Sequence, residues 1–179
     1  SAASDVYKRQ VHFPSCADSA ARLVRMGEAP DTVFCVGGLG DENIRTLPKM
    51  SREELCKSTG LDLMQPFALV TYHPETAPDA GSPAVQVQAL CDAMAAVDGV
   101  FWLITGSNAD AGGQVCTAMM QTFAAAHPDR AGFVQSLGLR RYLSAMDCAA
   151  LVAGNSSSGV VETPTFKVPT VNILSLIHI

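Results

Sequence analysis

The sequence lacks an apolar run long enough to cross a membrane, and it has no excess of positive charge. Its longest apolar stretches, such as residues 148–153, fall far short of the roughly 20 residues that a membrane helix needs. The 17 acidic residues outnumber the 12 lysines and arginines and give a net charge of -5. This balance disfavours a nonspecific nucleic-acid surface, although local N–H donors can still hold an anionic nucleotide. We therefore expect neither a membrane span nor a nucleic-acid partner.

The cysteines lack the close spacing of a disulfide framework or a zinc site. They are widely separated and form no C-x-x-C pair: Cys16, Cys35, Cys56, Cys91, Cys116 and Cys148. Most lie inside apolar helical or strand patterns, so we expect buried free thiols in a reducing cytoplasm. The sequence also contains no recognisable metal-ligand set and no nicotinamide-binding glycine fingerprint, so it predicts no metal and no cofactor.

From residue 67 onward, apolar strand patterns alternate with helical ones. At 179 residues and 48% hydrophobic residues, the chain is long and apolar enough for a real core. The predicted strands cover 67–72, 100–105, 132–135, 149–153 and 170–173, and the predicted helices cover 85–96, 113–126, 140–145 and 159–166. Such alternation implies parallel strands joined by right-handed crossovers. We therefore predict an α/β fold with a Rossmann-like parallel sheet.

The chain before residue 67 has the pattern expected at the end of another α/β domain. It contains strand patterns on either side of a predicted helix at 17–26, the second of them at 32–36. A further helix is predicted at 51–58. Ser51 stands at its N-cap and Glu54 three residues later, which is the spacing of a capping box.

The most informative stretch is residues 150–173, ALVAGNSSSGVVETPTFKVPTVNI. It places a strand, a serine-rich turn, a helix and a second strand in succession. Serine hydroxyls and free N–H groups at a helix start favour phosphate, although serine clusters are also ordinary helix caps. Glu162 follows the serines by about one and a half helical turns. A carboxylate there can accept hydrogen bonds from vicinal hydroxyls such as those of a ribose.

Polar residues follow successive predicted strands at the points where the strands end. His73 follows the first, Asn108 the second, Ser136 the third and Ser156 the fourth. Ligands of open parallel sheets lie beyond the carboxyl ends of the strands, so we expect these residues to be neighbours in space. Each also has an ordinary structural interpretation. A loop histidine is commonly a structural hydrogen-bonding group, and Asn108 with Asp110 fits an Asx turn that caps the next helix.

These segments resemble the hydrolysing UDP-N-acetylglucosamine 2-epimerases. Residues 154–173, GNSSSGVVETPTFKVPTVNI, are similar to a C-terminal signature of that family, GNSSSG-x-x-E-x-P-x-F-x-x-P-T-x-N-I. LVTYHPET at 69–76 and TGSNADAGG at 105–113 agree in order and spacing. VGGLGDENI at 36–44 and RYLSAMD at 141–147 fit as well. The resemblance covers almost all of the chain except its two ends.

The resemblance implies roles for the residues at the strand ends. His73 would contact the diphosphate and assist the departure of UDP, so it is the one candidate catalytic residue. Ser156 and Ser157 would bind the diphosphate, and Glu162 would accept the ribose hydroxyls. Ser136 is expected near the uracil or its ribose.

Two further candidates lie in the loop after the second predicted strand. By resemblance, Asn108 would line the nucleotide site and Asp110 would support it. The family's acid and base carboxylates lie upstream of residue 11. An arginine-rich loop normally follows the last strand, and here LSLIHI stands in its place. We therefore expect this chain to be inactive alone while it retains weak nucleotide binding.

The family's fold is the two-domain B-type glycosyltransferase arrangement, in which the nucleotide binds the C-terminal half. The implied reaction is anti elimination of UDP from UDP-N-acetylglucosamine, followed by hydration to N-acetylmannosamine, a precursor of sialic acid. The implied partners are UDP-N-acetylglucosamine and UDP. A cytoplasmic location and a homo-oligomeric full-length protein are also expected.

The resemblance divides the chain into five segments. Residues 11–40 would end an N-terminal Rossmann-like domain, 41–66 would link the domains, and 67–174 would form the UDP-binding domain. Residues 1–10 and 175–179 fit neither the periodicity nor the family pattern, and we expect them to be non-native tails. The chain is thus expected to be the C-terminal half of the fold, truncated at both ends.

Three alternatives stay open at this point. A non-hydrolysing epimerase would return UDP-N-acetylmannosamine, but its histidine motif usually reads H-R-x-E-N, and YHPET favours the hydrolysing branch. A B-type glycosyltransferase that uses a UDP-sugar donor would share the sheet and the ribose-binding glutamate. A nucleotide-binding remnant without catalysis is the third. Product analysis separates the catalytic alternatives, which give free N-acetylmannosamine, UDP-N-acetylmannosamine or a new glycoside, and absence of an intact open reading frame would favour the remnant.

Overall fold

A computed structural model of the chain describes residues 11–75, 81–107 and 112–173. The chain divides into two compact units, Ser1–Thr46 and Leu47–Ile179. Across the described ranges, no helix combines the length and apolar character that a membrane crossing demands.

From residue 11 onward, the described part of the first unit contains two helices and a short pair of extended segments. The helices are α1 (Ala17–Arg25) and α2 (Leu39–Thr46). The His12 N–H donates to the Thr32 carbonyl at 2.8 Å, and the Phe34 N–H donates to the His12 carbonyl at 2.8 Å. The strand predicted at 32–36 is wrong as a regular element. Its first residue closes a 3₁₀ turn, Pro30–Thr32, and the assigned pairing is an isolated parallel bridge between His12 and Val33.

The second unit is a parallel sheet with helices on its faces. Its strands are β1 (Phe67–Thr71), β2 (Phe101–Thr105), β3 (Ala131–Val134), β4 (Leu151–Gly154) and β5 (Thr170–Asn172). Its helices are α3 (Arg52–Thr59), α4 (Pro83–Ala96), α5 (Gly113–Ala126), α6 (Gly138–Cys148), α7 (Ser158–Val161) and α8 (Thr163–Phe166). The strands lie in the order β3-β2-β1-β4-β5, and every pairing is parallel. The predicted α/β class with a parallel sheet is therefore confirmed.

The central strands are buried on both faces, which explains their apolar sequences. All five residues of β1 and all five of β2 are buried. Side chains that alternate along β1 enter two separate cores, Ala68 and Val70 on one face and Phe67 and Leu69 on the other. A strand inside a parallel sheet needs apolar residues on both faces, so the expected pattern is a continuous run.

Helix α3 begins at the predicted capping box. The Glu54 N–H donates to the Ser51 hydroxyl at 3.2 Å, and the Ser51 N–H donates to the Glu54 carboxylate at 2.8 Å. The helix packs on α6 within the second unit. The assignment of residues 41–66 as a link between two domains stays a prediction.

The helix predicted at 159–166 is instead two single turns, α7 and α8, that meet at Glu162. Pro164 explains the interruption, because proline has no N–H to donate to the carbonyl of Val160 in the preceding turn. Lys167 then ends α8 in the left-handed conformation, with φ of 56°. A four-residue helix has a small dipole, so the groups that the serine turn offers to a ligand are its own hydroxyls and N–H groups.

The cysteines are free thiols with different degrees of exposure. Cys91 and Cys116 are buried, and burial raises the pKa of Cys91 to about 11. Cys16 and Cys35 are exposed, so the prediction of buried thiols is wrong for this pair. Both lie in the first unit, and Cys16 precedes α1 with its thiol donating to the Ser19 hydroxyl at 3.3 Å. Their spacing along the chain carries no information about exposure.

Candidate functional site

The strand order creates one place where the direction of chain winding reverses. From β1 the chain continues to β2 and β3 on one side, and α6 then carries it back to β4 on the other side of β1. Loops that leave β1 and β4 therefore diverge and open a crevice at their carboxyl ends. Ligands of open α/β sheets bind at such a switch point.

The segment after β1 is fixed to the segment after β4 by the side chain of Asn155. The His73 N–H donates to Asn155 Oδ1 at 2.8 Å, and Asn155 Nδ2 donates to the His73 carbonyl at 2.6 Å. The Asn155 N–H also donates to the Thr71 carbonyl at 3.3 Å. These bonds place His73 beside the serine turn, which begins with the next residue, Ser156.

Close approach of the two strand ends requires glycine at position 154. Gly154 has φ of 143°, in a region that side chains rarely adopt, and a Cβ atom there would lie 1.8 Å from the Thr71 carbonyl oxygen. No carbon atom can occupy that position, because the contact is far inside the van der Waals distance. The glycine of the GNSSSG motif thus sets the geometry of the crevice.

The His73 ring is held from the end of β2. Its Nδ1 lies 3.2 Å from the Ser107 hydroxyl, and the Ser107 N–H donates to Thr117 Oγ1 of α5 at 3.2 Å. The ends of β1, β2 and β4 therefore all contribute to the position of this half-buried imidazole.

Gln86 of α4 bonds to residues on both sides of His73. Its Oε1 accepts the Tyr72 hydroxyl at 2.8 Å and the Glu75 N–H at 2.9 Å. Burial, with smaller effects from Cys116 and Glu75, raises the pKa of Tyr72 to about 12. The phenol therefore stays a protonated donor at neutral pH, and the loop around His73 has fixed ends.

The serine turn presents hydroxyl groups at the end of β4. The Ser156 Oγ lies 3.1 Å from the Ser158 Oγ, and the Ser158 N–H donates to the Ser156 Oγ at 3.4 Å. Ser156 is half-buried, whereas Ser157 is exposed. The turn thus offers a set of neutral hydrogen-bond donors next to the His73 segment.

Glu162 lies at the junction of α7 and α8, partly buried. Its Oε2 atom is buried and has no hydrogen-bond partner within residues 11–75, 81–107 and 112–173. The neighbouring Thr163 is fully buried, and its hydroxyl donates to the Gly159 carbonyl at 2.8 Å. A buried carboxylate oxygen without a partner is costly, so Glu162 Oε2 is available to accept a hydrogen bond from a donor outside the described residues.

Ser136 lies at the end of β3, on the rim of a cleft of about 360 Å³. The cleft is lined by Thr105, Gly106, Gln135, Ser136, Leu137, Gly138, Leu139 and Tyr142. The Tyr142 hydroxyl lies 3.4 Å from the Thr71 Oγ1, which in turn lies 2.9 Å from the Thr105 Oγ1. The hydroxyls of buried Thr71 and Thr105 and of half-buried Tyr142 therefore connect this cleft to the switch point.

The structure places five of the seven candidate residues at the carboxyl edge of the sheet: His73, Ser136, Ser156, Ser157 and Glu162. Asn108 and Asp110 lie outside the described residues. Sequence reasoning missed Asn155 and Ser107. Each is among the first polar residues after a buried strand, and that position was the available signal. Among the described residues, no three histidine, cysteine, aspartate or glutamate side chains converge as a metal site would require.

Sequence comparisons match this chain to one family model and to longer known proteins. A family model described as UDP-N-acetylglucosamine 2-epimerase matches residues 9–175. The GDP/UDP-N,N'-diacetylbacillosamine 2-epimerase (hydrolyzing) of Campylobacter jejuni is 30% identical over 163 residues. Polysialic acid biosynthesis protein P7 of Escherichia coli is 31% identical over 165 residues. These alignments cover 91% and 92% of this chain but 42% and 41% of the relatives, so the chain spans about two fifths of their length.

Solved structures share the fold at low sequence identity. S. aureus MnaA, solved with UDP, matches with a TM-score of 0.63 and 16% identity over 93% of this chain and 43% of its own. A Neisseria meningitidis UDP-GlcNAc 2-epimerase, solved with UDP-GlcNAc, matches with a TM-score of 0.62 and 13% identity over 90% of this chain and 43% of its own. The likeness confirms the expected fold class, the B-type glycosyltransferase fold.

Proposed function

Because the chain belongs to the UDP-N-acetylglucosamine 2-epimerase family, we propose that its second unit binds the UDP part of a UDP-sugar at the carboxyl edge of the sheet. The observation that carries this proposal is Glu162, whose buried Oε2 lacks a partner among the described residues. A ribose 2′,3′-diol supplies the two adjacent donors that such a carboxylate accepts. A charge-assisted hydrogen bond of this kind contributes about 1.5–3 kcal/mol.

The proposal assigns the remaining parts of the nucleotide to the other groups at the carboxyl edge. The diphosphate lies between the His73 segment and the hydroxyls of Ser156 and Ser157, at the switch point. The uracil enters the cleft beside Ser136, where Tyr142 offers an aromatic surface. Asn108 and Asp110 would complete this site from the loop after β2. The diphosphate charge is then met by neutral donors and by His73, in agreement with the acidic composition.

The proposed reaction of the longer protein is an elimination followed by a hydration. A carboxylate base outside this chain removes the proton at C2 of the sugar, and the C1–O bond breaks with departure of UDP to leave a 2-acetamidoglucal. Water then adds across the double bond and gives N-acetylmannosamine with inversion at C2. His73 would stabilise the charge that develops on the leaving diphosphate. By itself, the chain is proposed to bind UDP without turnover.

UDP-N,N'-diacetylbacillosamine is a second candidate substrate, because that sugar appears in the names of two relatives that align with about 90% of this chain. Both candidates carry UDP and an acetamido group at C2, so the elimination chemistry is the same. We also propose a cytoplasmic location, a homo-oligomeric longer protein and a product that enters sialic acid synthesis. The domain boundaries at residues 40 and 66 belong to the same proposal.

A competition experiment tests the nucleotide assignment. We expect the chain to bind UDP saturably in calorimetry, and uridine and inorganic pyrophosphate each to bind about 10–100-fold more weakly, because each loses the hydrogen bonds of the other half. GDP is the control for the base cleft and is expected to bind more weakly than UDP. Equal affinity for pyrophosphate and UDP would mean a general anion site and would contradict the proposal.

A further inference from the structure

The pairing between β1 and β4 ends just before Asn155 and His73. In the parallel register, Thr71 pairs with Gly154, the last residue of β4. Beyond it, Pro74 has no N–H, so the chain after His73 cannot continue a regular ladder. The regular ladder therefore supplies no hydrogen bonds to the backbone of His73, which lies in a half-buried segment.

The Asn155 side chain makes the two hydrogen bonds to the His73 backbone that a neighbouring strand would otherwise make. A carboxamide carries one acceptor and one pair of donors, as a peptide group does, and here Oδ1 accepts from the His73 N–H while Nδ2 donates to the His73 carbonyl. The two bonds, at 2.8 and 2.6 Å, fix both backbone groups of one residue. Aspartate lacks the N–H donor and serine is too short to bridge both groups, so this position calls for asparagine.

We infer that Asn155 is a positioning residue that holds the His73 imidazole against the serine turn; the inference rests on the nucleotide site proposed above. Both ends of the Asn155 carboxamide bond to His73, so its effect on the nucleotide passes through His73. The backbone of His73 is fixed by Asn155 and its ring by Ser107, 3.2 Å from Nδ1. Because Ser156 follows Asn155 directly, one residue sets the spacing between the histidine and the hydroxyls.

Hydrogen exchange tests, without any ligand, whether Asn155 fixes the backbone of His73. In the full chain, Asn155→Ala is expected to accelerate exchange of the His73 amide by at least about tenfold, because that amide loses its acceptor, while the amides of Leu69 and Val70 in β1 keep their protection. Gln88→Ala, which removes a carboxamide from the exposed side of α4, is the matched control and should leave His73 unchanged. Unaltered exchange at His73 in Asn155→Ala would overturn the inference, as would equal loss of protection throughout β1.

A double-mutant cycle tests whether the effect on the nucleotide passes through His73. We expect Asn155→Ala to weaken UDP binding about tenfold in the otherwise unchanged chain and to have no further effect in His73→Ala, because the group that it positions is then absent. Additive losses would overturn the inference, since a direct contact or general destabilisation acts in both backgrounds. If the unchanged chain binds no UDP, the proposed function fails. Hydrogen exchange then still shows whether Asn155 fixes the backbone of His73.

Discussion

Replacement of Gly154 by alanine is expected to destabilise the second unit by about 3 kcal/mol or more and to abolish UDP binding. The new Cβ would lie 1.8 Å from the Thr71 carbonyl oxygen, and φ is 143° at this position. Relief of the clash requires the ends of β1 and β4 to separate, which breaks packing in a buried sheet and costs at least as much as severe overpacking. Urea unfolding followed by the fluorescence of Trp102, the single tryptophan, measures the change.

Gly99→Ala is the matched control for this substitution. Gly99 also has a positive φ, 76°, but no atom lies within 4 Å of the position that its Cβ would occupy. Only the backbone cost applies there, about 1–2 kcal/mol. If Gly154→Ala proves as mild as Gly99→Ala and retains UDP binding, close approach of the strand ends is not what forms the crevice.

Glu162→Gln is expected to weaken UDP binding about 100-fold while the free energy of unfolding stays unchanged or rises. Glutamine keeps the size of the side chain but removes the charge that strengthens bonds from a ribose diol. Without ligand, the carboxylate is a cost to the fold, because its buried Oε2 has no partner among the described residues. Calorimetry with UDP and urea unfolding of the same samples measure both quantities.

Glu53→Gln is the control for Glu162→Gln, since Glu53 is an exposed carboxylate in the first turn of α3, away from the carboxyl edge. It should leave the affinity for UDP unchanged and lower the free energy of unfolding only slightly, because hydrogen bonds at the start of α3 lower the pKa of Glu53 and favour its charged form in the folded state. The opposite pattern at Glu162, with reduced stability and unchanged affinity, would make that carboxylate a structural group and remove the main support for the nucleotide site.

The elements that the sequence predicts well are those with local physical causes. The apolar runs of β1 and β2 mark strands buried on both faces, and alternation with helices requires parallel pairing. The capping box of Ser51 and Glu54 is equally local, because all of its groups lie within four residues. The positions of His73 and Ser156 at strand ends followed from the same reasoning.

Features that depend on three-dimensional contacts could not be predicted in this way. The carboxamide of Asn155 bonds to His73, 82 positions earlier in the chain, and no periodicity marks such a bond. Exposure of Cys16 and Cys35 depends on how the side chains of the first unit pack in three dimensions. The break in the helix at Glu162 could have been predicted from Pro164. Its missing N–H removes a helical hydrogen bond, and this effect outweighs the helical spacing of the apolar residues around it.

Amide chemical-shift mapping with UDP tests the central claim most directly. The spectrum of the full chain should show saturable shifts at His73, Ser136, Ser156 and Glu162, all at the carboxyl edge of the sheet. Amides near Phe67 and Phe101, at the opposite ends of β1 and β2, should not move. Shifts confined to the amino ends of the strands, or no saturable shifts in a dispersed spectrum, would contradict the assignment of this edge as the nucleotide site.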